Sequence, residues 1–438
     1  MSLLNSNLPN QSIVDVGGCN CSIKREAPPR LTASDPFQGL RYYEQILERN
    51  GMSVHVLQSC DGVVGHHAEI EGRNYLSFST YNYLGYSGDP RVSLAAKEAI
   101  DRYGTSVSAS RLVAGERPVH RELELAIAGL IGAEDSIVYV SGHATNVTTL
   151  GCLFGPKDLV LYDVLSHNSI QQGIRLSGAA AYRFSHNNVQ QVDTLLQRWR
   201  GGYERALIVT EGVFSMDGDI SPVPELVEIK HRHRAYLMVD EAHSMGVIGP
   251  TGRGISDHFQ LNAADVDIWM GTLSKTLASC GGYVAGTREL VKSLRYAAPG
   301  FVYTCGISPP NAAAALAAVR LLQQEPERVR QLTENVSLFK SLAHRAGLNT
   351  GVSNGSAVVP VVLGCSLTCL FAAHLLYERG ILVHPLCYPI VPQNAARLRF
   401  FLTALHTPDE IQTAVKATLE AVDMAQSLAR VELAQATK

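Results

Sequence analysis

The chain has 438 residues, 46% hydrophobic and 18% charged, which fits a folded globular protein with a large core and roughly two or three units of about 150 residues. A formal net charge of -3 gives no electrostatic basis for nucleic-acid binding. No apolar run reaches the ~18 residues of a membrane span.

Residues 1–36 are rich in Asn, Ser, Gly and Pro, lack a signal-peptide apolar stretch, and read as a flexible leader. Residues 37–78 form an N-terminal segment. Leu40, Tyr43 and Leu47 have helical spacing, and Ala68–Ile70 with Tyr75–Phe78 predict a hairpin around Glu71-Gly72-Arg73-Asn74. Residues 79–307 read as a large domain. Its apolar strands are Ile137–Val140, Leu159–Tyr162, Ala206–Val209, Tyr236–Val239, Ile268–Gly271 and Gly282–Ala285, with helical runs such as Val189–Trp199 and Val223–His231 between them. That alternation predicts an α/β fold with a mainly parallel sheet covered on both faces. Residues 308–438 read as a smaller α+β domain. Two helical runs lead to strands at Val358–Leu363, Ile381–Val383 and Leu398–Leu402, and Thr407 with Glu410 forms a capping box for a last helix. Nine scattered cysteines show no paired zinc spacing. Cys19/Cys21 and Cys365/Cys369 stand alone, so the chain reads as a cytoplasmic protein with reduced thiols and no metal site.

Ligands of such sheets bind beyond the carboxyl ends of the strands. Asp240, His243 and Lys275 all sit at strand ends, on one rim. A lysine to form a Schiff base and a carboxylate to keep a pyridinium protonated are what pyridoxal 5'-phosphate (PLP) requires. The turn Ser141-Gly142-His143-Ala144 opens a helix and offers backbone N–H groups to a phosphate, with the Thr272 and Ser274 hydroxyls beside Lys275. His167, in Ser166-His167-Asn168-Ser169, lies on the same rim, where an imidazole stacks on a ring or caps a helix. The loop Tyr103–Arg111 is too polar for core.

Asn82-Tyr83-Leu84-Gly85, Ser166–Ser169, Glu211-Gly212-Val213-Phe214-Ser215-Met216-Asp217-Gly218-Asp219, Val239–Gly246, Gly252-Arg253-Gly254 and Gly271–Lys275 together resemble the α-oxoamine synthases. This PLP-dependent fold-type I family includes 8-amino-7-oxononanoate synthase, 2-amino-3-ketobutyrate CoA ligase and serine palmitoyltransferase. The resemblance runs from about Phe37 to Ala425. It implies that Lys275 is the Schiff-base lysine, Asp240 the pyridinium partner, His243 the partner of the ring's phenolic oxygen and His167 the stacking imidazole. It implies Gly142, His143, Thr272 and Ser274 as phosphate ligands, His143 through its backbone N–H. Ser215 and Asn82 would line the ring and substrate pocket, and Thr304 would reach the phosphate of a partner subunit, which implies a homodimer. Arg399, seven residues before His406, resembles the arginine that clamps the amino-acid carboxylate. Arg397 lies on the same strand face, so parity does not choose between the two.

The activity implied is a decarboxylative Claisen condensation of a small amino acid with an acyl thioester, on CoA or an acyl carrier protein. Its products are an α-aminoketone, CO2 and a free thiol. Ser110 stands where glycine-specific relatives tend to carry threonine, so alanine and serine are as plausible as glycine. Cys387 and Ile390 depart from serine palmitoyltransferases and oxononanoate synthases respectively. The rival readings are another fold-type I activity, such as an aldolase, aminotransferase or desulfurase, and a non-catalytic regulatory subunit.

Overall fold

The computed structural model describes residues 38–436; the expected leader over 1–36 and the Cys19/Cys21 pair lie outside the described residues. After a helix at Gln38–Arg49, strands β1 (His67–Ile70) and β2 (Arg73–Ser77) pair antiparallel. Their two-residue turn, Glu71-Gly72, has φ values of 52° and 75°. That left-handed conformation matches the twist of a hairpin, and the second position suits glycine.

Seven strands build the main sheet: β3 (Asp135–Tyr139), β4 (Asp158–Asp163), β5 (Ala180–Phe184), β6 (Arg205–Glu211), β7 (Tyr236–Asp240), β8 (Ile268–Thr272) and β9 (Gly282–Gly286), in the order β3-β9-β8-β7-β6-β4-β5. Pairing is parallel from β5 through β8, whereas β9 runs antiparallel to both neighbours. The connection between β8 and β9 is residues 273–281, shorter than the dozen or so that a parallel crossover needs, so the chain must double back. Lys275 lies in that return. Successive residues feed two cores on opposite faces: Val138, Leu159, Leu161 and Ile208 one, Ile137, Val160, Leu207 and Val209 the other. Burial on both faces is why these strands are continuously apolar. The exception is β5, an edge strand with alternating exposure and Arg183 in its middle, which an apolar-run criterion passes over.

Beyond residue 308, β10 (Val358–Gly364), β12 (His384–Leu386) and β13 (Ala396–Phe401) form an antiparallel sheet in the order β10-β13-β12. The expected strand Ile381–Val383 divides: β11 (Ile381–Leu382) pairs parallel with β2, and the chain changes sheet at Val383 to enter β12. The helix Pro309–Gln324 packs on helices Pro90–Tyr103 and Pro118–Ile131, while the last helix, Pro408–Ala436, packs on Ser366–Glu378 and Pro326–Arg345. Its capping box forms as expected, with Glu410 Oε2 accepting from Thr407 N at 2.8 Å and Glu410 N donating to Thr407 Oγ1 at 3.3 Å. Among the described residues no helix is long and apolar enough to cross a membrane.

Candidate active site

The carboxyl ends of β6, β7 and β8 open into a cavity of about 410 Å³. Lys275, Asp240, His167, His243, Gly142, His143, Thr272, Ser274, Ser215 and Arg399 line it, together with Tyr81, Asn146, Ser169 and Glu211.

Lys275 follows β8 in a tight return, where Leu273 N donates to Gly281 O at 2.9 Å and Ala278 N to Lys275 O at 3.0 Å. Burial pushes its amine down to about 8, against the opposing pull of the Asp240 and Glu211 carboxyls. Its Nζ stands 5.4 Å from the centre of the Tyr81 ring. Asp240 ends β7, in register with Glu211 on β6 and Met270 on β8. Its Oδ2 accepts from Asn146 Nδ2 at 2.8 Å and its Oδ1 from Ala242 N at 2.9 Å. The two bonds fix the plane of the carboxyl group.

Asn146 also donates to Ser169 Oγ at 2.9 Å, and that hydroxyl lies 2.7 Å from His167 Nδ1. A chain of side chains therefore joins Asp240 to His167. His167 caps the helix Asn168–Ser177, with Ser169 N donating to its Nδ1 at 3.3 Å, so it is a helix cap and a cavity wall at once. Its own backbone N–H donates to Glu211 Oε1 at 2.6 Å. Burial lowers the His167 imidazole and raises Glu211 well above the usual carboxyl range; the nearby Asp240 charge adds to the rise. His243 is buried, and its Nδ1 lies 2.7 Å from the Tyr83 hydroxyl, which leaves Nε2 to face the cavity. Burial keeps this imidazole well below its ordinary value and hence neutral, a direction the Lys275 charge reinforces.

The helix Gly142–Leu153 points its N-terminus at the cavity, with Ser141 Oγ capping Ala144 N at 3.0 Å. A Cβ on Gly142 would stand 2.9 Å from Thr272 Oγ1, so only glycine brings this turn so close to β8. Thr272 and Ser274 both donate to Gly281 O, at 3.0 and 3.4 Å, which sets their oxygens at the cavity floor.

Arg399 reaches in from β13. Its Nη1 donates to Ser215 O at 2.9 Å, its guanidinium lies 4.6 Å from the Phe401 ring, and its buried Nε has no partner. Arg397, two residues earlier, is closed by an ion pair with Asp217 and by Ala395 O at 2.9 Å.

Asn82 and Ser110 do not line this cavity, and neither does Thr304, whose expected place is the phosphate of a partner subunit. The Asn82 amide holds its own turn, accepting from Ser87 N at 3.1 Å and donating to Val64 O at 3.4 Å. Ser110 Oγ donates to Val302 O and Thr304 Oγ1 to Gly300 O, each at 2.7 Å. Backbone groups hold all three side chains. Conversely, Asn146, Ser169, Glu211, Tyr81 and Tyr83 carry contacts the sequence reading left unassigned. Ser169, Glu211 and Tyr83 lie inside the family-like motifs, and Asn146 follows the Gly142 turn by one helical turn.

Two histidine groups lie elsewhere. His55 Nε2 and His374 Nδ1 are 3.0 Å apart, with ring planes 9° apart and centroids at 5.2 Å, so the nitrogens face each other in hydrogen-bond geometry. His67 Nε2 meets Glu410 Oε1 at 2.8 Å.

Residues 73–417 match the family described as aminotransferase class I and II. The chain is 41% identical over 360 residues to a putative 8-amino-7-oxononanoate synthase of Gloeothece citriformis, covering 82% of this chain and 92% of that protein. It is 38% identical over 372 residues to 8-amino-7-oxononanoate synthase of Fervidobacterium nodosum, covering 84% and 93%. A structure of serine palmitoyltransferase from S. paucimobilis with a bound PLP–myriocin aldimine superposes with a TM-score of 0.85 at 31% identity, covering 89% and 98%. The 8-amino-7-oxononanoate synthase of Francisella tularensis superposes at 0.70 with 27% identity, covering 80% and 98%.

Fold and cavity therefore define a PLP-dependent transferase of fold type I. The chain belongs to the α-oxoamine synthase family. It is an acyltransferase of the class that joins an amino acid to an acyl thioester with loss of CO2.

Proposed function

We propose that this chain condenses a small α-amino acid (glycine, alanine or serine) with an acyl thioester on CoA or an acyl carrier protein, releasing an α-aminoketone, CO2 and the free thiol. The observation that carries the reading is the shared cavity of Lys275 Nζ and the unpartnered edge of Arg399. An amine to take a proton and a guanidinium to hold a carboxylate face one space. At about 410 Å³ that space is at the small end of the range for ligand sites, ~300–1,000 Å³. Once a cofactor occupies it, the room left suits a small side chain.

The residues present fit PLP. An anionic phosphate suits the N-terminus of Gly142–Leu153, through the backbone N–H groups of Gly142 and His143 and the hydroxyls of Thr272 and Ser274. Asp240, held by Asn146 and Ala242, suits a pyridinium proton. His243 Nε2, left free by Tyr83, suits the phenolic oxygen, and His167 supplies the wall on which a ring stacks. Bound PLP supplies an electron sink for charge that develops at the amino-acid Cα.

The chain's own groups do the rest. Lys275 Nζ would hold the cofactor covalently, and the amine is available for proton transfer when it is free. Free Nζ can then take the Cα proton, a task suited to an amine that burial lowers from 10.5 to about 8, which makes the neutral form far more accessible than in an exposed lysine. Arg399 binds the carboxylate and orients the Cα–H bond. Asp240, fixed by Asn146 and Ala242, would hold the proton on the ring nitrogen. The acyl carbon bonds to Cα as the carbon–sulfur bond breaks and the thiolate leaves to take a proton from solvent; the amino-acid carboxylate then departs as CO2, and Cα takes back the proton that Lys275 carries.

We take residues 79–307 as the cofactor-binding unit and the working form as a cytoplasmic homodimer. Val113 and Tyr303, close in sequence to Ser110 and Thr304, are exposed apolar side chains that a second copy would cover. Ser110 and Thr304 would serve the partner's site. The test is thiol release from acyl thioesters with glycine, alanine and serine, by wild type and Lys275→Ala. Turnover by the variant at the wild-type rate would end the reading.

A further inference from the structure

We infer that His186 is a positioning residue: held between Asp163 and Asp219, it locks together the two loops that carry His167 and the backbone anchor of Arg399. This rests on the reading of Arg399 as the carboxylate clamp. His186 follows the edge strand β5. Its Nδ1 lies 3.1 Å from Asp163 Oδ1 and its Nε2 2.8 Å from Asp219 Oδ2. The next residue repeats the bridge: Asn187 N donates to Asp163 Oδ2 at 2.8 Å and Asn187 Nδ2 to Asp219 Oδ2 at 2.7 Å. Asn187 has a φ of 52°, a left-handed conformation that asparagine tolerates better than most residues.

Each carboxyl closes one loop. Asp163 ends β4. Its Oδ1 accepts from Leu165 N at 2.8 Å and its O from Ser166 N at 3.0 Å, which shapes the turn that delivers His167. Asp219 ends the turn 214–219, where Phe214 N donates to Asp219 O at 3.0 Å and Gly218 N to Phe214 O at 2.9 Å. That turn carries Ser215, whose carbonyl holds Arg399 Nη1 at 2.9 Å, and Asp217, which closes Arg397. Ser356 Oγ holds the turn from the C-terminal side, donating to Gly218 O at 2.7 Å, and His186 ties it to the main sheet.

The bridge needs a cation. Both oxygens of Asp163 accept backbone N–H groups and Asp219 Oδ2 accepts the Asn187 amide, so the ring meets an acceptor on each side. A neutral imidazole has one N–H and would satisfy only one of them; the doubly protonated ring satisfies both. Burial opposes the charge, yet the two carboxyls outweigh it and push the imidazole up to about 10. Asp163 and Asp219 are buried, and Phe214 stands edge-on to the ring at 4.5 Å. In such surroundings a charge-assisted bond is strong and a carboxyl left without its donor is costly. One imidazolium therefore sets the His167 wall and the Ser215 anchor relative to each other.

His186→Gln keeps a polar side chain that bonds one carboxyl through its amide N–H and sets its oxygen against the other. The result expected is a rise of roughly tenfold in KM for the amino acid, because a charge-assisted tie is lost and the Ser215 anchor loosens. KM for the acyl thioester and the affinity for PLP read by absorbance should stay within about threefold. Adding Asp219→Asn lets the two introduced amides bond each other, and should bring the amino-acid KM back to within about threefold of wild type. In an Arg399→Lys background, His186→Gln should change that KM by less than about twofold, because the group it positions is gone. An unchanged amino-acid KM in His186→Gln would overturn the inference, whatever the variant loses in thermal stability. So would a full tenfold penalty that persists on adding Asp219→Asn or in the Arg399→Lys background, or a loss confined to PLP affinity. Where His186→Gln does not fold, Asp219→Asn alone keeps the shape and removes the charge. It should raise the amino-acid KM about threefold, and no rise would overturn the inference. If Arg399→Lys alone leaves the amino-acid KM unchanged, the clamp reading falls and takes this inference with it. If Arg399→Lys raises KM and His186→Gln does not, only this inference falls.

Discussion

Arg397 and Arg399 share one face of β13, yet Asp217 closes the first while the second opens toward Lys275. Spacing along the strand puts the two guanidiniums on one side, and the fate of each is set by what it meets there. Arg399→Lys replaces a fork with a point charge and should raise the amino-acid KM strongly. Loss of a desolvated, charge-assisted pair costs roughly 2–5 kcal/mol. Arg397→Lys keeps the ion pair with Asp217 and should leave KM within about twofold. Steady-state kinetics on both variants decides the matter, and a larger defect in Arg397→Lys would reverse the assignment.

Lys275 predicts a pH dependence in the protein stripped of cofactor. Burial lowers its folded value from 10.5 to about 8, so the neutral amine predominates above about 8. Covalent capture of added PLP should accelerate about tenfold per pH unit below that point and level off above it. The same shift links to stability. Between about 8 and 10.5 the unfolded chain binds the proton and the folded chain does not, so this group's contribution to stability rises with pH across that window. Stopped-flow absorbance across pH 6–10, taken as a rough span around that value, checks the midpoint. A midpoint near 10.5 would show that the amine is not desolvated.

The strands at the sheet centre were legible because they are apolar throughout, and the strand ends because Asp240, His243 and Lys275 interrupt apolar runs. What escaped is of two kinds. Strand β5 is half-exposed and carries Arg183, so it lacks the signal that identified its neighbours. The contacts of Asn146, Ser169 and Glu211 join residues far apart in the chain: Asn146 meets Asp240 across the sheet's carboxyl rim, and Glu211 meets the His167 backbone. Such pairs become visible only once β4, β6 and β7 lie side by side. Asn82 and Ser110 show the converse, since a motif position names a residue but not the backbone groups that hold its side chain.

Asn146→Leu tests the hidden link. Asn146 is 1% exposed and donates to both Asp240 and Ser169. Leucine leaves a buried carboxylate oxygen short of a donor, at a cost of about 1–3 kcal/mol. Urea unfolding of the cofactor-free protein should show that loss, and PLP affinity should fall about tenfold as Asp240 and His167 lose their common support. Unaltered PLP affinity would separate Asn146 from the cofactor site.

If two chains share sites, inactive variants should rescue one another. Lys275→Ala mixed with a variant disabled at Thr304 would form heterodimers in which one site carries both defects and the other neither. Activity should return on mixing, and sedimentation should give a dimer. A fully active monomer would contradict the shared site.

The most direct test of the central claim is a product balance. Wild-type protein loaded with PLP is given an acyl thioester with glycine, alanine or serine, and CO2 and free thiol are measured together. The account predicts equal amounts of both with at least one of these amino acids, and neither with Lys275→Ala. Thiol release without CO2, or CO2 release that does not depend on the thioester, would contradict it.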